Sequence, residues 1–317
     1  MDTLFDLDPP VDFDRDGLRA RLDALAAKSI FVGGSSWKYE GWLGQVYSPS
    51  RYRTRGRFSK KLFEQTCLAE YATVFPTVCG DFAFYQFPSE AYWEKLFRQT
   101  PTRFRWGMKV PEQITVPVWP IHPRYGALAG RENSAFLDHD LLGQAFLAPL
   151  APWRAQMGVL IFEFGRMHNA ALSSVDNFVR ALDPFLDRLP IGWSCAVEVR
   201  NAEFLAPDYF ACLRAHGVSH VYNAWTRMPE IADQMAIPES QTAPLLVARA
   251  LLRRGRPYED AVREFSPYNE VREVNEPVRR GLRELVEIAR VEGRPAFIFV
   301  NNRLEGNSPG TIVSITE

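Results

Sequence analysis

The stretch CAVEVR, residues 195–200, shows the pattern that decides the fold. It is short, apolar in its first half and charged at its end. Apolar runs of this length are typical of parallel strands that are buried on both faces. Because side chains alternate along a strand, Glu198 and Arg200 point to the same side. The stretch therefore predicts a buried strand whose carboxyl end carries charge.

Seven further stretches repeat this pattern, and longer amphipathic segments separate them. The eight predicted strands are Ile30–Gly34, Thr77–Asp81, Phe104–Lys109, Val159–Glu163, Cys195–Arg200, Ser219–Asn223, Leu245–Ala250 and Ala296–Asn301. Strands that alternate with helices eight times are typical of an α/β fold of the TIM-like (β/α)8 barrel type, which we predict as a single domain. A doubly wound open sheet is the alternative, but no glycine-rich nucleotide-binding motif follows the first strand.

Two connections are longer than the others. One runs from Ser35 to about Arg57 after strand one, and the other from Val110 to about Met157 after strand three. Both follow the carboxyl end of a strand, where barrel enzymes build lids and pockets. Residues 1–28 are predicted to form an acidic tail and a short helix, and residues 29–317 the barrel domain.

The composition of the 317-residue chain is that of an ordinary globular protein, with a net charge of -1. No overall field therefore attracts it to nucleic acid or to a membrane, although local patches could. The chain contains no apolar run of about 18 residues and no signal peptide pattern, so we predict a cytoplasmic protein with no membrane partner. Its cysteines form no Cys-x-x-Cys pair, which argues against a zinc or redox motif.

Charged or amide side chains stand at the ends of most predicted strands. In a barrel these ends converge on one mouth, so we expect the side chains to face each other. The residues are Asp81, Lys109, Glu163, Glu198, Arg200, Asn223, Arg249, Asn301 and Asn302.

The neighbouring carboxylates of Glu163 and Glu198 allow three interpretations. Two close carboxylates could act as general acid and base. They could instead hold a divalent metal with Asp81 as a third oxygen ligand, although the sequence requires no cofactor. The third interpretation is a structural network in which basic side chains neutralise the acids, namely Lys109, Arg200 and Arg249.

Aromatic side chains flank the same mouth. Trp37 follows strand one and Tyr85 follows strand two, and they could stack on a sugar or a base or pack under the loops. The candidate catalytic residues are Glu198, Glu163 and Asp81. The candidate substrate-binding residues are Arg200, Arg249, Lys109, Asn301, Asn302, Trp37 and Tyr85.

Several short motifs occur in a specific order between about Val32 and Ile312. They are Gly33-Gly34-Ser35-Ser36-Trp37-Lys38-Tyr39, Tyr71-Ala72, Phe84-Tyr85, Glu198-Val199-Arg200 and Asn301-Asn302. Their order and spacing resemble those of the YecE-like family, also called domain of unknown function 72. The resemblance implies a TIM-like barrel whose function is not established. It also implies that the inherited site residues include Glu198, Arg200, Arg249 and Asn301.

The chain departs from this family pattern in and near the predicted site. Family members usually carry Glu and Asn in the second strand, where this chain has Cys79 and Asp81. A Gln is usual where Glu163 stands. The resemblance therefore implies a more acidic site in this chain than in its relatives.

The sequence is compatible with three functions. The first is an enzyme, a hydrolase or lyase, that acts on a phosphate-bearing or nucleic-acid-like substrate with Glu198 as acid or base and an arginine as anion clamp. The second is a non-catalytic barrel that binds a nucleotide, a nucleic acid or a protein. The third is a glycosidase-like enzyme that uses the two glutamates as a pair. The sequence indicates no oligomeric state.

Overall fold

The centre of the structure, a computed structural model that describes residues 13–167 and 172–317, is a closed barrel of eight parallel strands. Each strand pairs with its neighbours in the chain, and the first strand pairs with the last to close the ring. The strands are β1 (Ile30–Gly34), β2 (Thr77–Gly80), β3 (Arg105–Lys109), β4 (Met157–Phe164), β5 (Cys195–Val199), β6 (Ser219–Ala224), β7 (Leu246–Ala250) and β8 (Ala296–Val300). The predicted (β/α)8 barrel is confirmed.

Helices surround the barrel. They are α1 (Arg15–Ala26), α2 (Lys60–Tyr71), α3 (Glu90–Phe97), α4 (Glu112–Thr115), α5 (His139–Leu141), α6 (Ala148–Leu150), α7 (Val175–Asp187), α8 (Pro207–Ala215), α9 (Ile231–Met235), α10 (Tyr258–Phe265), α11 (Glu276–Glu292) and α12 (Ser308–Thr316). Within the described residues, none of these helices combines the length and the apolar character needed to cross a membrane.

Helix α11 shows how the sequence determines where a helix begins, which face it buries and where it ends. The Asn275 side chain accepts a hydrogen bond from the backbone N–H of Val278 and caps the amino terminus. Leu282 and Leu285 are buried on the face that packs against the barrel. Gly293 follows the last residue with a φ of 65°, a left-handed conformation that ends the helix without the steric cost of a side chain.

Side chains fill the interior of the barrel below its mouth. The rings of Phe297 and Phe299 project from β8 across this space, and the strands opposite carry glycine where the rings arrive. A Cβ at Gly107 would lie 2.3 Å from the Phe299 ring, and one at Gly158 would lie 2.2 Å from the Phe297 ring. Because side chains fill the interior in this way, a ligand cannot enter the barrel below its mouth.

The two long connections follow β1 and β3, as predicted, and they differ in character. The first is held in place by hydrogen bonds to a side chain of α2. The buried carboxylate of Glu70 accepts them from Tyr52 at 2.6 Å and from Ser48 at 2.8 Å. The second, residues 110–156, contains α4, α5 and α6 and a π-helical turn, Leu142–Leu147. Residues 1–12, which hold most of the predicted acidic tail, lie outside the described residues, while α1 packs against β1.

Candidate functional site

Five charged side chains meet at the mouth of the barrel. Glu163 on β4 and Glu198 on β5 are register partners, so their side chains stand next to each other. Three cations surround this pair, from the ends of β3 and β7 and from the residue that follows β5. We call these five residues the mouth network: Lys109, Glu163, Glu198, Arg200 and Arg249.

The contacts of the mouth network are shared rather than pairwise. Lys109 Nζ lies 3.1 Å from Glu163 Oε1, and Arg200 Nη2 lies 3.2 Å from Glu163 Oε2. Arg200 Nη2 is also 2.7 Å from Glu198 Oε1, as an ion pair without hydrogen-bond alignment. Arg249 Nη1 donates to Oε2 of both glutamates. Arg249 therefore lies between the two carboxylates.

Burial and the neighbouring charges have opposite effects on the pKa of Glu163 and of Lys109. Burial would raise the pKa of Glu163, but Lys109, Arg200 and Arg249 outweigh it and hold that pKa well below its usual value. Burial lowers the pKa of Lys109 despite the nearby Glu163 carboxylate. Glu163 is consequently ionised at neutral pH.

The arrangement of the two glutamates argues against the acid–base pair of a glycosidase. Such an enzyme keeps a protonated carboxyl with a raised pKa, and it leaves the space between its carboxyl groups for the substrate or a water molecule. Here the pKa of Glu163 is lowered, and the Arg249 guanidinium occupies that space. In addition, a substrate has no access to the Glu198 side chain, which is 0% exposed, whereas the Glu163 side chain is 15% exposed.

Asp81, the third predicted carboxylate, does not join this group. It is exposed and precedes the turn Phe82–Phe84. Among residues 13–167 and 172–317, the one set of three ligand-type side chains within 4.8 Å of one another is Asp183, Cys212 and His216, which lies elsewhere. The three acids expected to hold a metal are therefore not brought together.

The two asparagines at the end of β8 make structural hydrogen bonds. Asn301 Nδ2 donates to Ser35 Oγ at 2.6 Å and so ties β8 to the loop after β1. Asn302 Oδ1 accepts the backbone N–H of Ser308 at 2.7 Å, at the start of α12. Their amides thus hold the loops that frame the mouth.

The two aromatic candidates lie in different surroundings. The Trp37 ring is 6% exposed and packs edge-on against the Trp106 ring at 5.7 Å, which places it in the core between barrel and helices. Tyr85 is 55% exposed and lies beside the mouth. Of the two, Tyr85 is the one that a ligand can reach.

A cleft of about 390 Å³ lies beside the mouth network, between the loops that follow β2 and β3. Half of its lining residues are aromatic, and we call it the aromatic cleft after them: Phe84, Tyr85, Phe87, Trp119 and Tyr125. The volume falls in the range of about 300–1,000 Å³ that is usual for small-molecule sites. The mouth and this cleft together form the candidate functional site.

Polar groups line the aromatic cleft as well. The Tyr125 hydroxyl donates to Glu112 Oε2 at 2.8 Å, and the Arg124 guanidinium lies 4.3 Å from the centroid of the Tyr85 ring. Burial raises the pKa of Glu112, and this effect exceeds those of its hydrogen bond and of nearby cations. Lys109 connects the two parts, because its Nζ lies 3.4 Å from the centroid of the Phe84 ring.

Sequence reasoning missed Glu112, Trp119, Arg124 and Tyr125. All four belong to the long connection after β3, which has no hydrophobic period that would fix its conformation. The available signal was the length and position of this connection, on the side of the barrel where sites form.

Comparison with known proteins identifies the family. The family described as "Protein of unknown function DUF72" matches residues 31–317. The chain belongs to the DUF72 family. This confirms the resemblance found in the sequence. None of the proteins with curated descriptions matches the chain.

Solved structures of DUF72 proteins share the fold. A DUF72 family protein from Enterococcus faecalis V583 is 16% identical with a TM-score of 0.58, covering 90% of this chain and 95% of that chain. Another, from Thermotoga maritima MSB8, is 19% identical with a TM-score of 0.57, covering 90% of this chain and 96% of that chain. At such identities the likeness shows the fold alone.

Proposed function

We propose that this DUF72 protein binds a phosphate-bearing small molecule at the barrel mouth and acts on it as a hydrolase or lyase. The observation that carries the proposal is the charge of the mouth network, in which three cations face two carboxylates. All five side chains are at most 15% exposed, so water and salt screen the surplus positive charge less than they screen a surface charge. A surplus cation in such a place favours an anionic ligand.

The arginines also have donors to offer to such a ligand. Within the described chain, Arg200 Nη1 and Arg249 Nε are buried and have no hydrogen-bond acceptor. Buried donors without a partner are costly, and a phosphate oxygen would satisfy them. The Arg200 guanidinium also lies 4.1 Å from the centroid of the Trp225 ring, which restricts its orientation before any ligand binds.

The proposal gives the carboxyl groups different roles. Glu163 and Glu198 hold the three cations in place and are positioning residues. Glu112 is the candidate proton donor, because it lines the cleft and burial raises its pKa. Hydrolysis and elimination of a phosphate ester both release an oxygen leaving group, and a carboxylic acid can protonate that oxygen.

The variant Lys109→Met tests the proposal, because it leaves two arginines facing two glutamates and so removes the surplus charge. We expect isothermal titration calorimetry with inorganic phosphate and pyrophosphate to detect binding to the wild type and at least ten-fold weaker binding to this variant. Lys38→Met is the matched control, since Lys38 also stands beside an aromatic ring, 5.7 Å from the centroid of Trp37, but is exposed and outside the network.

Two results would contradict the proposal. The first is no binding of either anion at millimolar concentration, and the second is equal binding by the wild type and Lys109→Met. Turnover is measured separately with p-nitrophenyl phosphate and bis(p-nitrophenyl) phosphate. Binding without turnover of either ester would favour the non-catalytic alternative, a barrel that binds a phosphate-bearing molecule.

A further inference from the structure

The aromatic cleft has the walls of a site for a flat ring. Five aromatic side chains line it, and they come from the two loops that follow β2 and β3. Aromatic faces bind planar heterocycles by stacking, whichever base is presented. An aliphatic ligand would gain nothing from this geometry beyond the burial of its surface.

One wall of the cleft is already a stacked pair. The Arg124 guanidinium lies 4.3 Å from the centroid of the Tyr85 ring, although Tyr85 is 55% exposed. This contact holds a planar cation and a planar ring together at the surface, where neither is fixed by a surrounding core. The pair offers a flat face of adjustable position to a ligand in the cleft.

Hydrogen-bonding groups accompany the aromatic walls. The side chains of Gln86 and Gln113 line the cleft, as do the paired Glu112 and Tyr125. The amides of the two glutamines can pair with the edge of a nucleobase, which presents donors and acceptors in its plane. A purely apolar ring would displace water from these amides without replacing its hydrogen bonds, at a cost in free energy.

Lys109 joins the cleft to the mouth network. Its Nζ lies 3.1 Å from Glu163 Oε1 and 3.4 Å from the centroid of the Phe84 ring, so one ammonium group belongs to both. A ligand with an aromatic end and an anionic end can therefore reach both parts at once. We propose that the aromatic cleft binds the base of a mononucleotide whose phosphate is held by the mouth network.

This inference rests on the proposed function, because the network is taken to hold the phosphate. It adds the substrate class. A sugar phosphate would satisfy the network equally, but a sugar ring is not planar and would use the five aromatic walls less well than a base does. The choice between the two is made by the experiment.

The test compares ligands that share the phosphate and differ in the attached group. The probes are the 5′-monophosphates of adenosine, guanosine, cytidine and uridine, with glucose 6-phosphate and inorganic phosphate as references, titrated calorimetrically into the full chain. We expect at least one nucleotide to bind ten-fold or more tightly than both references. We also expect Tyr85→Ala to weaken nucleotide binding about ten-fold, because the base loses the ring on which it stacks, and to leave inorganic phosphate binding unchanged.

Tyr258→Ala is the matched control. Tyr258 is an exposed tyrosine that also carries an arginine, with the Arg303 guanidinium 4.5 Å from its ring centroid, but it does not line the cleft. We expect this variant to bind nucleotide as the wild type does. Trp119→Ala provides a second variant in the cleft and is expected to weaken nucleotide binding in the same way.

The outcomes separate this inference from the proposed function. If inorganic phosphate binds and no nucleotide binds more tightly, the nucleotide assignment is wrong while the anion site stands. Glucose 6-phosphate that binds as tightly as the best nucleotide would overturn the assignment in favour of a sugar phosphate. A short single-stranded oligonucleotide is titrated in the same way, and its binding in the absence of binding by any monophosphate would overturn the assignment in favour of nucleic acid. If none of the probes binds, the proposed function and this inference both fail.

Discussion

The substitution Glu198→Gln is expected to destabilise the fold strongly, because it removes one of only two negative charges from a buried network. The two side chains have nearly the same volume, so no cavity contributes to the effect. Glu198 is 0% exposed and pairs with Arg200 and Arg249, neither of which can lose its proton. Breaking a buried ion pair on one side costs about 3–5 kcal/mol of unfolding free energy, and we expect a loss in this range.

The same substitution is expected to tighten the binding of an anion. It raises the excess of cations over carboxylates from one to two. A unit charge about 6 Å from a phosphate, at an effective dielectric constant of about 20, contributes about 3 kcal/mol before any structural relaxation. We therefore expect at least a ten-fold gain in affinity for pyrophosphate, which corresponds to about 1.4 kcal/mol.

Urea-induced unfolding at neutral pH measures the loss of stability, and calorimetric titration measures the gain in affinity. Glu94→Gln is the control, because Glu94 also pairs with an arginine, Arg98, but does so on an exposed helix face, where such a pair contributes at most about 0.5 kcal/mol. A loss of less than about 1 kcal/mol for Glu198→Gln would refute the account of the buried network. Weaker pyrophosphate binding by this variant would refute the role of the surplus charge.

Two further predictions concern the barrel itself. Gly107→Ala forces a methyl group against the Phe299 ring, 2.3 Å away, and should cost about 1–3 kcal/mol in urea unfolding, whereas Gly143→Ala, with no atom within 4 Å of its new Cβ, should cost nothing. Burial lowers the pKa of His220 to about 3. Between about pH 3 and pH 6.5 this imidazole therefore binds a proton in the unfolded chain but not in the folded chain. Stability should therefore fall with pH below about 6.5, by up to about 1.4 kcal/mol per unit from this group. His220→Gln should make the measured slope shallower, and an unchanged slope would show that His220 does not titrate in this way.

The sequence predicted the parts of the molecule that follow from topology. A two-residue period and the convergence of parallel strand ends are general properties of barrels, so Glu198, Arg200 and Arg249 could be placed at one mouth from their positions in the strands. Glu163 could be placed beside Glu198 for the same reason, and the register pairs these two residues.

Details that depend on side-chain packing were not accessible in this way. The sequence does not show that Trp37 turns into the core, because this depends on its contact with Trp106, which is distant in the chain. It also did not indicate the aromatic cleft. Trp119, Arg124 and Tyr125 reach that cleft only through the path of an irregular loop, and no periodic pattern encodes such a path.

The arrangement of charges changes which residues a mechanistic experiment should address. Burying three cations side by side requires compensating charge, and Glu163 and Glu198 supply it through shared contacts with Arg200 and Arg249. A loss of activity on changing either glutamate would therefore follow from the altered charge balance of the network and would not identify a proton-transfer group. Glu112 lies outside these ion pairs, so a change in the pH dependence of turnover in Glu112→Gln, with anion binding intact, would be specific evidence for acid catalysis.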